Sequence, residues 1–162
     1  MDKLPETVLA AIDEARAQHE DPLALFIYDL DALKQHVTQV MAALPDGVEL
    51  YYAIKANSEP QILATVAPLV HGFEISSGGE IDRLQACPTR KPFIFSGPGK
   101  LDSDLRSALQ HHVEAIHIES LNEIVRLQRL ALEAGRVQDV LLRINPEPVS
   151  YTHLTLPTIL LV

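Results

Sequence analysis

The chain has 162 residues, 47% of them hydrophobic and 22% charged, with a formal net charge of −9. That length is enough for one domain with a sizeable core. The acidic balance, without a long basic block, argues against nucleic acid or an anionic membrane as the main partner.

Cys87 is the single cysteine, which excludes a disulfide framework and points to a reducing compartment. The stretch Met1-Asp-Lys-Leu-Pro-Glu-Thr-Val-Leu-Ala10 lacks the basic flank and apolar core of a signal peptide. Its apolar runs are too short to span a bilayer. The reading is a cytoplasmic protein.

In chain order, residues 6–19 predict an amphipathic helix with Val8, Leu9, Ile12 and Ala15 on one face. Residues 23–28 are a strand candidate. Asp29 then fits an N-cap, because Leu30, Leu33, Val37, Val40 and Leu44 recur at helical spacing. Pro45-Asp46-Gly47 is a turn. From there strands and helices alternate: strand 49–54 and helix 59–67 with Ser58 as cap, strand 72–75 and helix 78–86, strand 92–95 and helix 102–110, strand 115–118 and helix 121–134, and strand 139–144. Ser77 with Glu80 and Ser120 with Glu123 have capping-box spacing, and Gly135 suits a helix C′ position. Alternation at this pitch predicts parallel strands with right-handed crossovers. A doubly wound sheet and a (β/α) barrel both fit, and both bind ligands at the C-terminal ends of their strands.

Polar residues collect at those ends: Lys55, Glu74 with Ser76, Ser96 with Lys100, His117 with Glu119, and Arg143 with Asn145. Lys55 closes the apolar, β-prone run Val48-Glu-Leu-Tyr-Tyr-Ala-Ile-Lys55. An amine there either snorkels to water or, once deprotonated, serves as a nucleophile toward a carbonyl. His117 is open to an acid–base or ring-stacking role and to a structural one. Gly97-Pro-Gly99 reads as loop geometry with Lys100 solvated. Ser77-Gly-Gly-Glu80 reads as a tight strand-to-helix turn. His111-His112 reads as a surface helix end without metal-ligand spacing, and Cys87 as packing.

Five ordered blocks then carry a family resemblance: Tyr52-Ala-Ile-Lys-Ala-Asn57, Gly72-Phe-Glu-Ile-Ser-Ser-Gly-Gly-Glu80, Phe95-Ser-Gly-Pro-Gly-Lys100, Ile116-His-Ile-Glu-Ser120 and Leu142-Arg-Ile-Asn-Pro146. From about Leu23 to Pro146 the chain resembles the fold-type III pyridoxal-phosphate decarboxylases, the diaminopimelate, ornithine and arginine decarboxylase family. It is most similar to the diaminopimelate kind. Lys55-Ala-Asn57 continues Ser-Glu-Pro, unlike the Ala-Tyr-Gly typical of alanine racemases. The Gly72-Phe-Glu-Ile-Ser block also resembles decarboxylases of siderophore pathways, which act on diaminopropionate-like adducts.

The resemblance implies an α/β fold, a (β/α)8 TIM barrel of the alanine racemase type followed by a β-rich domain, and a homodimer in the full-length protein. It implies pyridoxal 5'-phosphate as cofactor, a Schiff base at Lys55, and decarboxylation of an amino acid. Arg143 matches the family arginine beside the cofactor ring. Glu74 stands where the family usually carries an aspartate, and His117 joins them as a cofactor-binding candidate. The implied barrel is partial, with about five of eight strands in residues 1–149, and the C-terminal β domain has no counterpart. Residues 150–162 are uncharged, continue no family block and read as a non-native or disordered tail, or else as a short edge strand; His153 is not read as catalytic. The expectation is a truncated decarboxylase, inactive alone. The alternative is a non-catalytic pyridoxal-phosphate-binding or decoy module that keeps the barrel fold.

Overall fold

A computed structural model describes residues 4–19, 24–88 and 90–144. Expectations for Asn145, Pro146, His153 and the tail at 150–162 lie outside the described residues. The elements are α1 (Glu6–Gln18), α2 (Leu30–Ala43), β1 (Tyr51–Ala53), α3 (Pro60–Val66), β2 (Gly72–Ile75), α4 (Gly78–Gln85), β3 (Phe93–Phe95), α5 (Asp102–Gln110), β4 (Ala115–Ile118), α6 (Leu121–Glu133) and β5 (Val140–Leu142). The five strands form one sheet in the order β1-β2-β3-β4-β5. Pairing is parallel, with Ile94 opposite Ala115 and His117 opposite Leu141. A doubly wound sheet reverses its strand order at a switch point. This order never reverses, so of the two predicted architectures the partial barrel is the one present.

The described residues divide into two compact units, residues 4–73 with 83–91 and residues 74–82 with 92–144. In the first, Ile54, Ile62, Leu63, Val66, Val70 and Phe73 are buried. Ser58 does not cap α3. Asn57 instead forms an Asx turn just before the helix, its Oδ1 accepting from the N–H of the N-cap Glu59 at 2.9 Å, and no side chain caps α3. Asp29 caps α2 as expected, accepting from the Ala32 N–H at 2.9 Å. The expected strand at 23–28 is a correction: residues 24–28 form none, and Phe26 is 90% exposed. A continuous apolar run becomes a strand only where a neighbour supplies ladder partners, and no described residue does.

In the second unit, Phe95, Leu105, Leu109, Ile116, Leu127 and Leu130 are buried. Full burial of one such side chain stabilises by about 1.5–3 kcal/mol. Helix α6 is closed at both ends by its own sequence. The Ser120 hydroxyl accepts from the Glu123 N–H at 3.2 Å. Gly135 adopts φ +64°. The Arg136 N–H then reaches the Ala131 carbonyl at 2.9 Å and the Gly135 N–H reaches that of Leu132 at 3.0 Å, a Schellman closure. Helix α5 closes the same way with His112 at φ +59°, which makes His111-His112 the exposed helix end expected.

A surface network joins α5 to α6. Asp102 accepts from Arg126 at 2.7 Å and Arg129 at 2.5 Å, while Glu133 accepts from Arg129 at 2.8 Å and Arg106 at 2.9 Å. The Arg126 hydrogen bond is the main cause holding the Asp102 carboxyl below its ordinary 3.8. A depressed folded-state value contributes stability above 3.8 that is lost as pH falls through the lower value. Asp102→Asn should therefore lower the melting temperature at neutral pH and low salt. The difference from wild type should shrink in high salt and vanish in melts run well below pH 3.8.

Candidate active site

Lys55 lies in the first unit, on a single 3₁₀ turn, Ile54–Ala56, that directly follows β1. Ile54 is fully buried and pins the turn, whereas Lys55 is exposed. The Tyr52 hydroxyl bridges the turn, donating to the Asn57 carbonyl at 3.1 Å. Burial raises the Tyr52 phenol above its ordinary value, keeping it a donor. Its ring stands edge-on to Phe73, centroids 6.3 Å apart. The strand end and the break after it thus form a rigid frame from which one amine projects.

In the second unit, register separates the two faces of the sheet. Ile118 and Val140 line an apolar groove with Ile124 and Leu127 of α6. Side chains alternate along strands, so Ser96, His117, Leu141 and Arg143 belong to the opposite face. Three of the predicted site residues take partners or positions there. The Ser96 hydroxyl donates to Glu74 Oε1. Arg143, with 44% of its side chain exposed, reaches Glu119 Oε2 at 3.4 Å. His117 Nε2 is buried and meets no hydrogen-bond partner among the described residues. A buried polar atom without a partner is costly, which sets His117 apart from a satisfied structural histidine.

Carboxylates stitch the loops below this face. Glu80 Oε2 accepts from the Ser76 N–H at 2.7 Å, Glu119 Oε1 from the Gly97 N–H at 3.0 Å, and Glu123 Oε2 from the Glu119 N–H at 2.9 Å. In both expected capping boxes the glutamate therefore reaches one residue beyond the serine, to the strand end itself.

Lys100 requires a correction. Expected in solvent, it is 3% exposed. Its Nζ donates to the Gly97 carbonyl at 2.6 Å, the His117 carbonyl at 2.7 Å and Glu123 Oε1 at 3.0 Å, and lies 5.7 Å from the centre of the Phe95 ring. Glu123 is 4% exposed. Sequence reading missed this pair because its members are 23 residues apart and the capping-box spacing had already accounted for the glutamate. The preceding Gly97 has φ +103°, with its Cα hydrogen toward the Ser76 carbonyl side. Gly97→Ala should cost about 1–3 kcal/mol in urea unfolding. Gly99, where an added Cβ meets open space, should tolerate alanine within about 0.5 kcal/mol.

Gly78 and Gly79 open α4; a Cβ at Gly78 would run into the Asp104 carboxylate, whereas one at Gly79 would meet open space. Cys87 is buried and free. No group among the described residues has a metal-binding arrangement, and no described helix is long and apolar enough to cross a membrane.

Comparison with known proteins decides what the frame around Lys55 belongs to. The family model for the pyridoxal-dependent decarboxylases, pyridoxal binding domain, matches residues 30–158. This chain belongs to that decarboxylase family. Among its decarboxylase relatives, 2-[(L-alanin-3-ylcarbamoyl)methyl]-2-hydroxybutanedioate decarboxylase of Staphylococcus aureus is 39% identical over 91% of this chain and 37% of its own length. Diaminopimelate decarboxylase of Neisseria meningitidis serogroup B is 39% identical over 80% of this chain and 32% of its own. The crystal structure of diaminopimelate decarboxylase from Helicobacter pylori complexed with L-lysine superposes with a TM-score of 0.71 at 31% identity, covering 83% of this chain and 34% of that one. The chain therefore spans about a third of the length of these decarboxylases.

Pyridoxal phosphate is the cofactor of the family, and the residues present suit it. An aldehyde needs a primary amine that solvent and ligand can reach, and Lys55 is exposed. In the second unit taken by itself, His117 Nε2 is a polar atom without a partner among the described residues.

Proposed function

We infer that this chain is the cofactor-binding part of an amino-acid decarboxylase and that Lys55 holds pyridoxal 5'-phosphate covalently through Nζ. The observation that carries the reading is the exposed amine on the turn that Ile54 and the Tyr52–Asn57 bridge hold at the end of β1. When bound, the cofactor supplies an electron sink for the pair of electrons left as a carboxylate departs as CO2.

The chain's own residues have definite tasks in this reading. Lys55 Nζ would hold the cofactor, and the same amine is the group placed to carry a proton at the site. Arg143 offers a permanent cation from the strand end after β5, oriented by Glu119. His117 Nε2 meets a polar group of the ligand. Glu74, bonded to Ser96, acts behind the residues that touch ligand. The intact protein works as a homodimer on an amino acid. Substrates of the two kinds named by the relatives, diaminopimelate and the L-alanin-3-ylcarbamoyl adduct, are the candidates.

The test is chemical. The purified chain is incubated with pyridoxal 5'-phosphate, reduced with borohydride, digested and analysed by mass spectrometry. The label should map to Lys55. A label spread over Lys34, Lys91 and other lysines, as free aldehyde would give, rejects the reading. CO2 release from the two substrates then ranks them.

A further inference from the structure

We propose that the buried Lys100–Glu123 pair is a positioning device, setting Glu119 and through it the Arg143 guanidinium; the inference rests on the cofactor role given to Arg143 above. The contacts form a relay in which no oxygen is shared. Glu123 gives Oε1 to the Lys100 ammonium and Oε2 to the Glu119 N–H. Glu119 gives Oε1 to the Gly97 N–H and Oε2 to Arg143. An ammonium has three donors, and those of Lys100 go to Glu123 and to the carbonyls of Gly97 and His117.

Both loops that follow β3 and β4 are therefore tied to one buried nitrogen. The residue whose carbonyl it holds, His117, is also the one whose Nε2 lacks a partner among the described residues. A buried ion pair is weak evidence for stability, because apolar residues of similar size often do as well or better. What apolar residues cannot do is hold the Glu119 amide and two strand-end carbonyls in place. Lys100 and Glu123 touch neither ligand nor reacting atoms in this reading, so both are positioning residues.

The discriminating variant is Lys100→Met combined with Glu123→Leu, which removes both charges at similar volume. Melting is followed by circular dichroism, cofactor capture by absorbance titration with pyridoxal 5'-phosphate, and the loops by amide hydrogen exchange. The expected result is a folded variant with near-wild-type melting, capture weakened at least about tenfold, and faster exchange at Gly97 and Glu119. A folded variant with wild-type capture and wild-type exchange overturns the proposal. Should the double variant fail to fold, Glu123→Gln keeps the volume and removes the charge; wild-type capture there also overturns it.

In the wild-type chain, Gly97 and Glu119 amides that exchange as fast as open loop overturn it without any cofactor. If wild type captures no cofactor at Lys55, the functional reading fails, while the exchange data still decide whether the pair holds its loops.

Discussion

Replacing Lys55 with alanine should abolish covalent capture of pyridoxal 5'-phosphate, from one label per chain to none after borohydride reduction. Lys55 is exposed and its turn is held by others: Ile54 from below and the Tyr52–Asn57 hydrogen bond across. Truncating it removes the amine and little packing, so the melting temperature should stay close to that of wild type. The pairing of complete chemical loss with an intact fold is what identifies a nucleophile, because a lysine that merely snorkels would leave the label distributed among other lysines. Lys55→Arg should behave like Lys55→Ala, since a guanidinium keeps the charge and cannot serve as the amine. Retention of a single stoichiometric label in Lys55→Ala would remove this residue from the site.

Lys100→Met alone should destabilise the fold by about 3–5 kcal/mol. It leaves the Glu123 carboxylate buried at 4% exposure without its counter-charge, and the Gly97 and His117 carbonyls without their donor. Urea unfolding monitored by circular dichroism should show the midpoint falling with little change in slope, because the surface exposed on unfolding is nearly the same. Adding Glu123→Leu should recover most of that loss, since the stranded charge is then gone. A Lys100→Met midpoint close to wild type would mean that the ammonium is solvated after all, as its sequence neighbourhood suggested.

The local features were legible in the residues themselves. Strands 72–75 and 115–118 appear at their expected bounds, Asp29 and Ser120 cap their helices, and Gly135 closes α6. Each depends on contacts within a few positions, where propensity, spacing and capping chemistry act directly. The same is true of Lys55, whose place at a strand end follows from the run that precedes it.

Three features were decided only by tertiary structure. Residues 24–28 have strand composition but no ladder partner among the described residues, so they form no strand and stay exposed. Lys100 looks like a solvated loop lysine until the Gly97 carbonyl of its own loop, the His117 carbonyl of β4 and the Glu123 carboxylate in the first turn of α6 close over it. Glu119 acquires its place between Gly97 and Arg143 only when β3, β4 and β5 come into register. The amino-acid order by itself determined the alternating elements and the lysine at the end of β1, because short-range spacing encodes both. The identity of the buried charges was decided by the fold, because their partners lie more than twenty residues away and desolvation exists only once the chain has closed around them.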